Sequence, residues 1–146
     1  MRTLLLLLLF WLLCGLMTAE TGHSAHAPPT VLSDSLIPPK RLLILHSYHQ
    51  GLNWTDAIQA GILESLAAGG QRYEVYTEYL DSLRFPQPLQ NGFANMRIHL
   101  QDKYGNRQPD VVLVSDNNAY DFILANRDRI APGKPLVFCG VNNLKP

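Results

Sequence analysis

The chain has 146 residues, room for one domain of ordinary size, and it balances 12 basic against 12 acidic residues. That neutrality, without a basic block, removes the electrostatic case for a nucleic-acid partner. Of its two cysteines, Cys14 lies in a leucine-rich leader, so Cys139 has no partner for an intrachain disulfide.

Met1-Arg2-Thr3 is a short basic start, residues 4–13 are almost pure leucine, and small and polar residues follow over 18–27. That order is the pattern of a secretory signal peptide, with cleavage after Ala19 and delivery to the periplasm or another extracytoplasmic space. The apolar stretch is short beside the roughly 20 residues of a membrane-spanning helix, and a retained signal anchor stands as the alternative. Cys14 follows Leu13 rather than a small residue, which argues against a lipoprotein signal. Residues 20–39 are rich in Pro, Ser, Thr and Ala and lack apolar periodicity, so they read as a linker. The folded unit is expected over 40–146.

Leu42-Leu43-Ile44-Leu45 is the unbroken apolar run of a parallel strand buried on both faces. It stops at His46-Ser47-Tyr48-His49, and after Gly51 a helix is predicted, with Asn53 as N-cap and Asp56 in capping-box register. Trp54, Ile58, Ile62 and Leu66 form one helical stripe, and Gly69-Gly70 ends it. Residues 73–80 alternate as a second strand, Tyr73, Val75 and Tyr79 on one face and Tyr76 and Leu80 on the other. Glu78, Asp81 and Arg84 lie at its end. Leu89, Phe93, Met96, Leu100 and Tyr104 recur at helical spacing, with Gly92 a weak point inside and Gly105 as the stop. Residues 111–114 form a third strand, and Ala119, Phe122, Ile123 and Ile130 mark a third helix broken by Pro132-Gly133. Residues 136–139 form a fourth strand. The order β-α-β-α-β-α-β predicts an α/β fold, a doubly wound parallel sheet with helices on both faces. Because such a sheet normally continues with another helix, the domain is expected to be incomplete.

Four polar strand ends then meet at one edge: His46-Ser47-Tyr48, Glu78 with Asp81, Ser115-Asp116-Asn117-Asn118, and Gly140-Val141-Asn142-Asn143. Helix capping by Asn53 and by one of Asp116, Asn117 or Asn118 would account for part of this polarity. It does not account for Asn142 and Asn143, and the surplus favours a ligand crevice. Ser47 stands outside any G-x-S-x-G elbow, G-x-G-x-x-G is absent after the first strand, and His46 and His49 bring no second metal-ligand pair. No metal or cofactor is called for. A response-regulator receiver would need paired acidic residues where this first strand ends in His46-Ser47-Tyr48-His49. Cys139, inside an apolar run, reads as a small buried hydrophobe rather than a nucleophile.

The strings RLLILHSYHQGLNWTDAIQAGI, YTEYLDSLR, KYGNRQPDVVLVSDNNAYDFIL and PLVFCGVNN together resemble the ABC-transporter substrate-binding-like domain family over residues 40–143. The resemblance implies the first lobe of a type I periplasmic-binding-protein fold, in which two α/β lobes close on a small solute. It implies Ser47, Tyr48, Trp54, Asp116, Asn117 and Asn142 as crevice residues, and small organic solutes, amino acids among them, as ligands. The function favoured here, reception of a small solute, involves no covalent chemistry. Family members occur as free periplasmic proteins and as input modules of histidine kinases and diguanylate cyclases, so the expected function is extracytoplasmic solute sensing. A solute-binding component of an importer is the alternative, and an exported hydrolase using Ser47 or Asp116 a remote one. Trp54 belongs either to the core stripe or to the crevice wall. Homodimerisation and membrane attachment stay open.

Overall fold

The computed structural model describes residues 38–86, 93–142 and 144. The expected leader over 1–19, nearly all of the expected linker, Leu89, Gly92 and Asn143 lie outside the described residues. Four strands alternate with three helices: β1 (Lys40–His46), α1 (Asn53–Ala68), β2 (Tyr73–Tyr79), α2 (Ala94–Tyr104), β3 (Val111–Ser115), α3 (Asp116–Ile130) and β4 (Leu136–Cys139). The strands form one sheet in the order β2-β1-β3-β4, and every pairing is parallel. This is the expected doubly wound α/β arrangement.

β1 is central, and Leu42 through Leu45 are buried on both faces, as an uninterrupted apolar run requires. Leu43 and Leu45 join Val112, Val114, Leu100, Tyr104, Phe122 and Ile123 in the core beneath α2 and α3. The alternating partners of β1 face α1, which is tied to the sheet through Gln59. The chain therefore crosses one face going from β1 to β2 and the other face on its next two crossovers, as right-handed connections demand of this strand order. The reversal of winding falls between β1 and β3.

Several boundaries differ from the sequence expectation for identifiable reasons. Asn53 is the first residue of α1 rather than its cap; Leu52 precedes the helix and brings no side-chain cap. Asp56 accepts the Gly51 N–H at 3.0 Å instead of closing a capping box. Gly70 ends the turn after α1 with φ +70°, a left-handed conformation that glycine adopts without a Cβ clash. α2 starts at Ala94, because Phe93 takes φ +64° and sends its ring edge-on against Phe122 at 6.1 Å. α3 begins at Asp116, immediately after β3, with no intervening loop. Glu78 does not serve the carboxyl edge: on the α2 face of β2, its carboxylate accepts from the Tyr104 hydroxyl at 2.7 Å and pairs with Lys103 at 2.6 Å.

Candidate functional site

A sheet whose winding reverses between two neighbouring strands splays its flanking helices apart there, leaving a crevice at the strands' carboxyl ends. Here those ends are His46 of β1 and Ser115 of β3, which are register partners. The polar residues gathered around them divide into a buried scaffold and an outer rim.

The scaffold begins with His46, fully buried, whose Nδ1 lies 2.8 Å from the Ser115 hydroxyl and whose Nε2 lies 2.7 Å from Gln59 Oε1. Gln59 donates its amide to the Thr77 hydroxyl at 3.2 Å, so its oxygen faces the ring and must accept from it. This assigns the Nε2–H tautomer and makes Ser115 the donor to Nδ1. Burial holds the imidazole below its usual pKa, against opposing pulls from the Gln59 bond and from the charges of Asp116 and Asp56. The Tyr79 ring stacks on the imidazole at 5.3 Å. A neutral histidine thus ties β1 to β3 on one side and to α1 and β2 on the other.

Ser47 performs a second tie. Its hydroxyl donates to the Ser115 carbonyl at 2.7 Å and accepts the Ala119 N–H at 2.8 Å. Those are the two groups that close the first turn of α3, so the hydroxyl of one segment caps the helix of another. Ser47 also gives its carbonyl to Ser82, which donates both its N–H at 2.9 Å and its hydroxyl at 2.7 Å. Asn118 donates to that same Ser82 hydroxyl at 2.8 Å. The loop after β2 is thereby clasped to β1 and to α3. Beyond it, Asp81 adopts φ +55°, binds Arg84 through both carboxylate oxygens and lies 3.5 Å from the His49 ring.

The rim is made by α1 and α3. Trp54, in the first turn of α1, is 55% exposed, which separates it from the core stripe of which Ile58, Ile62 and Leu66 remain half-buried members. Its indole N–H donates to both oxygens of Asp116, at 3.1 and 3.3 Å. Asp116 is only 6% exposed and sits in the left-handed region, φ +65°. Gly140 lies behind it: a Cβ there would come within 2.9 Å of Asp116 Oδ1, so the loop after β4 needs glycine for this close approach as well as for its own φ of +67°. Asn117 accepts the Asn142 N–H at 2.9 Å, fixing that loop to α3. Tyr48 is half-buried, and burial together with the Asp116 charge raises its phenol pKa. The Cys139 thiol is raised in the same way, mainly by burial, and faces the Val114 carbonyl, which keeps it a protonated packing group. Beside Trp54, the Thr55 hydroxyl is buried without a hydrogen-bond partner among the described residues.

Of the six residues assigned to the crevice by sequence, Trp54, Asp116, Asn117 and Asn142 meet across the α1, α3 and β4 ends, and Tyr48 adjoins them. Ser47 lies beneath, fully buried, with its hydroxyl given to backbone groups. None of Asp116, Asn117 and Asn118 acts as a side-chain cap of α3; each reaches a different neighbouring element. Gln59, Thr77 and Ser82 were not singled out by sequence, because a polar residue on a half-buried helix or strand face carries no period of its own. The described residues form a doubly wound parallel α/β unit with polar side chains gathered at its switch point. No protein-family model, curated protein or solved structure matches the chain.

Proposed function

We propose that this chain carries the first lobe of an extracytoplasmic receptor for a small solute, acting as the input module of a membrane signalling protein. The observation that supports this most is the gathering of Trp54, Asp116, Asn117 and Asn142 around the β1–β3 switch point, over a buried polar scaffold, with Trp54 and Asn142 exposed at its rim. The family resemblance of residues 40–143 and the leader-like start point the same way. In this reading the crevice is one wall of a two-lobed cleft. A solute that binds the closed arrangement better than the open one shifts the hinge equilibrium, and that shift is the signal.

Hydrolysis receives less support. Ser47 is committed to backbone groups, and Ser115, which is paired with a histidine, is fully buried with an amide rather than a carboxylate behind the ring. An importer's binding component would use the same crevice, and the output of the whole protein distinguishes it from a sensor.

The test is a titration of small organic solutes followed by tryptophan emission, in a Trp11→Phe background that leaves Trp54 as the reporter. Saturable changes with at least one solute, lost or weakened about tenfold in a Trp54→Phe protein monitored by calorimetry, are expected. A broad panel that binds nothing removes the reading.

A further inference from the structure

We propose that the solute taken by this crevice carries a cationic nitrogen, with the Asp116 carboxylate as its counter-charge and Trp54 as an adjoining wall; this rests on the solute-binding reading above. A buried carboxylate costs much of its hydration and is ordinarily offset by a cation or several strong donors. Asp116 is 94% removed from solvent on its 6% exposure, yet the side chain that bonds it is a neutral indole, shared between its two oxygens at 3.1 and 3.3 Å. Among the described residues no lysine, arginine or histidine forms an ion pair with it; the cations that pair do so with Asp110, Glu74, Glu78 and Asp81. His46, the base beneath, is held neutral and already shared between Ser115 and Gln59. The positive end of α3 offsets a fraction of the cost, since the carboxylate stands in that helix's first turn.

The negative charge of Asp116, paired with no cation among the described residues, acts on its neighbours. It acts on His46 and Tyr48 at the end of β1 and on Cys139 at the end of β4, and Asp56 adds a second negative charge from α1. An anionic group entering here would meet the Asp116 carboxylate. A cation would meet a carboxylate preset by Trp54 and Gly140, beside a tryptophan that is itself more than half exposed, the surroundings that favour organic ammonium and guanidinium groups.

The experiment compares three probes that share a phenyl-alkyl body: 2-phenylethylammonium, 3-phenylpropanoate and 2-phenylethanol. Each is titrated into the Trp11→Phe chain and into the same chain with Asp116→Asn. Asparagine is the non-glycine residue best suited to the left-handed backbone of position 116, and it still accepts the indole N–H, so the variant removes charge while keeping the fold, as far-ultraviolet dichroism verifies. The expected result is binding of the ammonium probe at least about tenfold tighter than either other probe, with that preference abolished by Asp116→Asn. Equal or tighter binding of the propanoate or the alcohol, a preference that survives Asp116→Asn, or no saturable binding of the ammonium probe would overturn the inference. In any of those cases a different solute bound in the wider panel keeps the solute-binding reading standing, so the two fail separately.

Discussion

At the scale of single residues, His46 shows how one side chain couples the sheet to its helices. Its ring is fully buried and bonded at both nitrogens, and its pKa lies below the ordinary value of 6.5. A histidine with a depressed folded-state pKa favours the native protein in its neutral form. Its contribution is therefore fully present above the unfolded value near 6.5, and it is lost as pH falls from there toward the lower folded value. Urea midpoints measured between about pH 7.5 and 5.5 should fall on acidification. In a His46→Gln protein that acid-side decline should flatten, because the group that must be protonated on unfolding is gone. The lowered carboxylates, Glu74, Asp81 and Asp110, titrate below this window and leave the comparison clean. An unchanged pH slope in the variant would assign the decline to other histidines.

At the scale of elements, the start of α3 depends on a hydroxyl from another strand's end. Ser47→Ala should leave the Ala119 N–H and part of the Ser115 carbonyl without their bridging partner in a buried setting. The expected loss is about 1–3 kcal/mol, read as a lower denaturant midpoint at unchanged slope. The same elements mark what the sequence could and could not disclose. Apolar runs at residues 42–45 and 111–114 placed both central strands; Leu42 to Leu45 are buried on both faces, and in β3 Val112 and Val114 are buried while Val111 and Leu113 are half-buried. The carboxyl edge followed from strand order alone. The start of α3 was missed because Asp116, Asn117 and Asn118 are poor helix-interior residues that favour caps and loops, and tertiary bonds to Trp54, Asn142 and Ser82 override that preference. Trp54 was ambiguous between core and rim, since a helical stripe gives no sign of where the sheet beneath it ends. Its exposure and its bond to Asp116 resolve it.

At the scale of the whole described unit, the two edges of the sheet differ in kind. The amino edge carries a hollow of about 730 Å³ lined by Pro38, Lys40, Arg41, Glu74, Arg107 and Asp110. Both of its carboxylates are paired, Asp110 with Arg41 and Glu74 with Arg107, while Lys40 forms no ion pair among the described residues. The carboxyl edge carries Asp116 with a neutral donor and an exposed indole beside it. Charge that is already paired offers a solute little, while an unmatched carboxylate next to an aromatic face offers both attraction and contact. The proposed solute site therefore falls at the carboxyl edge, while the ion pairs of the amino edge tie β1 to the turn before β3 and β2 to the segment after α2. The measurement that bears on this most directly is an amide chemical-shift map of the chain titrated with the solute that binds best. The largest shifts are expected at Tyr48, Trp54, Asp116, Asn117 and Asn142, with Lys40, Arg41, Glu74 and Arg107 unmoved. Shifts concentrated on the amino edge, or spread evenly over both, would contradict it.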